Sequence, residues 1–379
     1  MKIHVRHQWG QWANIGEDLV AALFNRYEYT SSANQYDCSM YITWQDFMGC
    51  EAQGAHVRSI PLMTVQHGSH AFSDYLPDIS FKPISDHYCA WAENDAHWLR
   101  LAGVDESKIH ITGSPVINAI HARNREADRK FWCDYAEVDD RPIIVYGPDH
   151  AGHGGTGKND AIMRELVRAS QEEMSHCLFI MKIYLEGINN YRGFFCTEGS
   201  DDPYDWLEPM NPLNHGMTFL PPWHHTEEGY RNVFSEGGNH MFRGMGDRLP
   251  NFIFTCGDRF PQEMLFSAAD AVVVPSVATF AVKGMSADIP VIVGGPLTTM
   301  EQVNSFVVHG RKPYCLYTDE AIKVDAVEHI EDVSMLPVSI LHELQADRHA
   351  EGRRVYNRMH GGPKTGAIQN IVNIIERYA

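Results

Sequence analysis

Gln66-His67-Gly68-Ser69-His70 is the first run in the chain whose residue types suit chemistry. An imidazole titrates near pH 6.5, so His67 can take a proton from a hydroxyl at neutral pH. Gly68 lets a substrate approach the main chain closely, while Ser69 and His70 offer polar contacts beside it. A histidine that only caps its own loop is the plain alternative. A second run joins Gly147-Pro148-Asp149-His150-Ala151 to Gly152-His153-Gly154-Gly155-Thr156-Gly157-Lys158. A glycine-rich loop between a strand and a helix presents N–H groups and the positive helix end to a phosphate; otherwise it is a surface turn. Gly152 to Lys158 fits GxxxxGK, yet Asn159 stands where a P-loop needs Ser or Thr to hold magnesium. Asp149, His150 and His153, with His224-His225 further on, are types that bind divalent metals, but no HxxxH pair fixes a geometry and no metal is expected. A third run, Pro275-Ser276-Val277-Ala278-Thr279, suits either a helix cap or a diphosphate. Cys256-Gly257-Asp258-Arg259 completes this set of loops.

The elements that must hold these loops follow from hydrophobic periodicity. Met1 to Arg6 reads as a strand, a polar turn through Trp9, Gly10 and Gly16 follows, and Asp18 to Phe24 reads as a helix. Asp37 to Trp44, Leu62 to Gln66, Tyr88 to Ala92 and Lys108 to Thr112 are short strands, the first three apolar on both faces. Asn94 is placed to cap a helix ending at Gly103, and Val116 to Glu137 reads as a helical, charge-rich segment. After the polar stretch Asp139-Asp140-Arg141-Pro142 the pattern restarts with strands Ile143 to Tyr146, Cys177 to Ile183, Phe252 to Thr255, Ala271 to Val274 and Val291 to Val293. Helices are expected over Asp160 to Gln171, Pro261 to Ala268, Ala278 to Ala287 and Thr365 to Tyr378. The pattern predicts two doubly wound α/β domains, 1–139 and 140–363, with a terminal helix 364–379 and a cleft between the domains. Gly187 to Pro250 carries no clear period and reads as an insertion.

Composition narrows the function classes. The chain has 379 residues, 44% of them hydrophobic, long enough for two cores. Its formal net charge of −18 opposes binding to duplex nucleic acid and anionic membranes. The basic groups His121 to Lys130 and Arg348 to Arg358 are interspersed with acids and read as solvated helix faces. Cys38, Cys50, Cys89, Cys133, Cys177, Cys196, Cys256 and Cys315 lie too far apart for CxxC redox or zinc-finger spacing, and read as free, partly buried thiols. No secretory apolar region follows Met1 and no run of eighteen apolar residues occurs, so a cytoplasmic protein is expected.

Two segments carry a resemblance. Residues 88–115, from Tyr88-Cys89-Ala90-Trp91-Ala92-Glu93 to Gly113-Ser114-Pro115, resemble the end of the first domain in GT-B glycosyltransferases. Residues 266–293, from Phe266-Ser267-Ala268-Ala269-Asp270 to Val291-Ile292-Val293, resemble the donor-binding segment of the same enzymes. The branch in question holds capsule and teichoic-acid transferases and nonhydrolysing sugar epimerases, and His67-Gly68 resembles the His-Gly of the teichoic type. The resemblance implies two Rossmann-like domains, a nucleotide-sugar or nucleotide-alcohol donor on the second and an acceptor on the first. It makes His67 the general base, Gly152 to Gly157 and Ser276 to Thr279 diphosphate contacts, and Lys158 or Lys182 a charge partner for the leaving group. It further implies no cofactor beyond the donor, and a final helix that packs back across the cleft. Lys283 stands where many members have a Glu that grips the donor ribose, a contact that Glu263, or an acid in the insertion 187–250, would have to replace.

The reading these features favour is glycosyl transfer from a nucleotide sugar to a hydroxyl of a saccharide, a lipid-linked acceptor or a modified nucleic acid. Transfer of an alcohol phosphate from a CDP-alcohol, glycosyl transfer onto modified phage DNA, and a P-loop-like NTPase are the alternatives.

Overall fold

The computed structural model describes residues 1–5, 17–30, 34–44, 50–68, 82–148, 156–183, 240–243, 251–256, 262–296 and 315–378. The first half contains a sheet of six parallel strands: β1 (Lys2–Val5), β2 (Glu28–Tyr29), β3 (Met40–Thr43), β4 (Leu62–Val65), β5 (His87–Ala90) and β6 (Ile109–Ile111). Their spatial order is β2-β1-β3-β4-β5-β6. Strands β3, β4 and β5 are buried along their whole length, as two-faced apolar runs must be when helices cover both sides. Helices α1 (Glu17–Arg26), α2 (Cys50–Val57) and α3 (Glu93–Leu101) belong to this half.

The second sheet has seven strands: β7 (Ile143–Tyr146), β8 (Leu178–Ile183), β9 (His240–Arg243), β10 (Phe252–Cys256), β11 (Ala271–Val274), β12 (Val291–Gly294) and β13 (Glu328–Ile330). The order is β13-β12-β11-β7-β8-β10-β9, parallel except for β9, which runs antiparallel to β10. Strand β9 is the one described part of the segment 187–250. Helices α6 (Thr156–Gln171), α7 (Gln262–Ala268), α8 (Thr279–Ser286), α9 (Cys315–Lys323), α10 (Leu336–Gln345) and α11 (Ala350–His360) accompany this sheet.

Between the sheets the chain forms two helices where one helical segment is expected. Ser114 accepts a hydrogen bond from Ile117 N at the start of α4 (Pro115–Ala122), and Asn124 accepts one from Ala127 N at the start of α5 (Arg125–Ala136). The second cap ends the first helix. Val116, Ile120, Trp132 and Cys133 join the core under the second sheet, although they precede Asp139 in the chain. Conversely, α12 (Ala367–Tyr378) puts Ile371, Val372, Ile374 and Ile375 among Ile3, Val5, Ile42 and Met63 of the first core.

The return is built at Gly361-Gly362-Pro363. Gly362 sits at φ +63°, and a Cβ there would lie 1.9 Å from the carbonyl oxygen of Trp91, so only glycine fits. Asn118 Nδ2 donates to Pro363 O at 2.9 Å, and Ala367 N donates to Asn118 Oδ1 at 2.7 Å, tying this segment to α4.

Two local expectations are corrected. The residue before α3 is Ala92, not Asn94, because the Asp95 carboxylate accepts from Ala92 N at 3.2 Å and fixes the start of the helix there. The segment 348–358 is not a solvated face throughout: Arg353 is buried and paired with Asp347. Among the described residues Cys38, Cys89, Cys133 and Cys177 are free thiols, and no helix is long and apolar enough to cross a membrane.

Candidate functional site

Parallel sheets present ligand-binding loops at the carboxyl ends of their strands, and the crevice lies where strand order reverses. In the second sheet that reversal falls between β7 and β11. The loops following these two strands are the ones that begin Gly147-Pro148 and Pro275-Ser276. Gly147 N donates to Val273 O at 3.0 Å, and a Cβ on Gly147 would lie 2.3 Å from the Phe280 ring. The missing side chain lets α8 close onto the end of β7. Lys158, in the first turn of α6, reaches across Gly295 and donates to Pro275 O, so the cation spans the crevice from one loop to the other.

The residue before α8 is Ala278, which has no side chain with which to cap. Ser276 and Thr279 therefore do not serve as its N-cap, and the cap reading of this run gives way. The loop is held from beneath instead: Val277 N donates to the buried Thr318 hydroxyl at 2.9 Å. Ser276, Ala278 and Thr279 remain half-buried while Val277 faces the core. The positive end of α8 thus lies beside two hydroxyl residues, an arrangement suited to an anionic ligand.

Lys182, near the end of β8, is 2% exposed, and Lys283 of α8 is 1% exposed. Lys283 Nζ donates to Gln262 Oε1 at 2.8 Å. Burial first, and the Lys182 charge second, push the Lys283 ammonium well below the usual lysine range, with half-buried Glu263 acting the other way. Lys283 is therefore committed inward to α7. Glu263 is a counter-charge to Lys283.

In the first half, His67 follows β4 directly. Its Nδ1 lies 3.2 Å from the carbonyl oxygen of Trp44. A carbonyl only accepts, so the neutral ring carries its proton on Nδ1 and its lone pair on Nε2, the form a general base needs. The main chain around it is fixed by Gln66, which is fully buried. Its Nε2 donates to Gly68 O and to Asp95 Oδ1, each at 2.7 Å, and its Oε1 accepts from Trp91 N at 2.6 Å. Trp91 Nε1 donates back to Gln66 O at 3.1 Å. Burial pushes the Asp95 carboxyl well above the usual range, opposed by the hydrogen bonds from Gln66, Ala92 and its own N–H.

The two loops meet. A Cβ on Gly68 would lie 3.0 Å from Thr279 Oγ1, so the His67-Gly68 loop abuts the first residue of α8. The structure brings His67, Gly68, Ser276, Thr279 and Lys158 to one region, with Lys182 and Glu263 within electrostatic reach of Lys283 in the last turn of α8. Gly16, Ser69, His70, Asp149, His150, Gly152, His153, Gly154, Gly155, Asp258 and Arg259, and the pair His224-His225, lie outside the described residues. Thr156 and Gly157 form the first turn of α6. Gln66 was named only as the head of its run, with no role, and Asp95 and Thr318 were not singled out by sequence. A polar residue closing an apolar run was the one available signal for Gln66.

Two mainly parallel α/β sheets, a chain that crosses once between them and a terminal helix that returns to the first decide the architecture. The chain has the GT-B fold. No protein-family model matches it, and no curated protein matches it in sequence. Among solved GT-B structures it resembles the wall teichoic acid polymerase TagF in a variant soaked with CDPG, with a TM-score of 0.60, 11% identity, and coverage of 99% of this chain and 88% of that one. It also resembles the MnaA–UDP complex of S. aureus, with a TM-score of 0.55, 13% identity, and coverage of 100% and 96%. The UDP-GlcNAc 2-epimerase of Neisseria meningitidis bound to UDP-GlcNAc gives a TM-score of 0.56 at 12% identity, covering both chains fully.

Proposed function

We propose that this chain is a metal-independent, cytoplasmic glycosyltransferase that moves a sugar from a nucleotide-sugar donor to a hydroxyl acceptor. The observation that carries the reading is the contact between the His67-Gly68 loop and Thr279 at the start of α8. A hydroxyl brought to His67 Nε2 would lie next to a donor whose diphosphate rests on the α8 end. His67 takes the acceptor proton as the acceptor oxygen attacks the anomeric carbon, and the bond to the donor diphosphate breaks. The α8 dipole, Ser276, Thr279 and the cations Lys158 and Lys182 stabilise the charge that develops on the departing nucleotide diphosphate. The inward commitment of Lys283 means that the donor ribose is gripped by some residue other than the one at this position.

A second reading is transfer of an alcohol phosphate from a CDP-alcohol, supported by the His67-Gly68 element and by the likeness to TagF. Thermal unfolding with UDP, GDP, CDP, ADP and dTDP, with and without magnesium, separates the two. A rise in Tm with UDP, GDP, ADP or dTDP supports the first reading, and a rise with CDP alone supports the second. No rise with any nucleotide would refute both.

A further inference from the structure

Away from the cleft, Glu328, Glu343 and His349 converge where β13, α10 and the start of α11 meet. Glu328 is the first residue of β13, so the cluster lies at the amino end of a parallel strand, opposite the ligand loops. His349 Nε2 is 2.8 Å from Glu328 Oε2 and 3.7 Å from Glu343 Oε1, and one ligand atom from each residue lies within 4.8 Å of the others. Among the described residues this is the one group of three metal-ligating side chains so placed.

Three features separate it from an ordinary ion-pair network. The first is the orientation of the imidazole. His349 Nδ1 faces only acceptors, Asp325 O at 3.2 Å and Asp325 Oδ1 at 2.9 Å, so Nδ1 holds a proton and Nε2 is the nitrogen turned toward the two glutamates. That outer hydrogen bond is the arrangement that aims and strengthens a histidine as a metal ligand. The second is the way Arg348 holds the carboxylates. Its Nε donates to Glu343 Oε1 at 2.9 Å and its Nη2 lies 3.3 Å from Glu328 Oε1, so both Oε1 atoms are engaged, Glu328 Oε2 faces His349 Nε2, and Glu343 Oε2 is left for another partner. The third is Glu343 Oε2 itself. The Glu343 side chain is 1% exposed, and this oxygen is buried with no hydrogen-bond partner. A buried carboxylate oxygen without a partner is costly, and a bound cation satisfies it.

The charge agrees once the ion displaces the proton that His349 Nε2 shares with Glu328 Oε2. Asp325, Glu328 and Glu343 against Arg348 then leave −2, which a divalent ion cancels. Ligands about 2.0–2.1 Å from a tetrahedral ion lie about 3.3 Å apart, close to the separations already present. One nitrogen and two carboxylate oxygens suit zinc or a neighbouring transition ion better than calcium or magnesium, which prefer all-oxygen shells.

We propose that Glu328, Glu343 and His349 form a zinc-type structural metal site that fastens β13, α10 and α11 together, with water as the fourth ligand. The site stands apart from glycosyl transfer and does not depend on that reading. The test is Zn2+ titration of the full chain after EDTA treatment and dialysis, followed by calorimetry and thermal unfolding. At zinc about a hundredfold above Kd, the wild-type Tm should rise by about 5 °C, and His349→Gln should abolish that rise. Should His349→Gln not fold, Glu328→Gln makes the same comparison, since its side chain is less buried. No rise in the wild type would overturn the proposal. So would a rise of equal size in either variant, which would place the ion on other histidines or cysteines.

Discussion

Replacing Gln66 with Met keeps the length and apolar bulk of the side chain and removes only its carboxamide. The structure sets the size of the effect. Three groups lose their partner at once: the Trp91 N–H, the Gly68 carbonyl and one oxygen of Asp95, all in buried hydrogen bonds. A buried group left unsatisfied costs about 1–3 kcal/mol, so losing three partners should cost about 3–9 kcal/mol. Against the 5–15 kcal/mol that typically holds a domain together, this is about half the total. Urea unfolding followed by tryptophan fluorescence should show a midpoint displaced by that amount, with nucleotide binding retained because the donor loops belong to the other half. Transfer activity should fall, because the main chain carrying His67 is no longer fixed. A midpoint within about 1 kcal/mol of the wild type would refute the claim that Gln66 holds this loop.

Other outcomes follow from the same structure. His67→Ala should lower kcat by about 10²–10⁴-fold and leave donor affinity nearly unchanged, as removal of a general base does; steady-state kinetics checks this. Ser276→Ala combined with Thr279→Ala should weaken nucleotide diphosphate binding, which calorimetric titration checks. His87 stacks on Tyr378 of α12 at 4.0 Å and lies 3.2 Å from His110. Burial, then the His110 charge, lowers its pKa from 6.5 to about 4. The unfolded chain therefore takes up the proton first: this stability is present above pH 6.5 and is lost as pH falls from 6.5 through 4, about 3 kcal/mol in all. His87→Phe keeps the stacking and should flatten this acid limb in urea midpoints measured at pH 7.5 and 5.0.

Strands built from β-branched runs were legible directly. Ile143–Tyr146 and Ala271–Val274 have the expected bounds because an apolar run on both faces has no other place than the centre of a sheet. Of the edge strands, β6 was expected over Lys108 to Thr112, but the others were not. Glu28–Tyr29 and Glu328–Ile330 are short and partly polar, since one side of each lacks a neighbouring strand. Helix α2 carries its buried face on Ala52 and Ala55, residues too small to stand out as a hydrophobic period. The loops after β4, β7 and β11 were visible as glycine- and hydroxyl-bearing runs after strands, and the fold places the last two at the reversal of strand order. What joins them was not visible. Gln66 finds Asp95 across 29 positions, and Thr318 finds Val277 across 41, partnerships that no local pattern encodes.

The return of α12 to the first sheet also sets the order in which the halves can mature. The second core draws on a continuous span from Val116 to Tyr356. The first needs Ile3 and Val5 to meet Ile371 and Ile375. The Arg26–Gln369 contact closes a loop of 343 residues, whose entropic cost on a disordered chain is about 5 kcal/mol. Val116 and Tyr356 belong to that one core, so once it has formed the two ends of its span are held near each other. The second half thus acts as the template on which the first is completed, and a lesion in its core would leave the N-terminal sheet bare without touching a single residue of it.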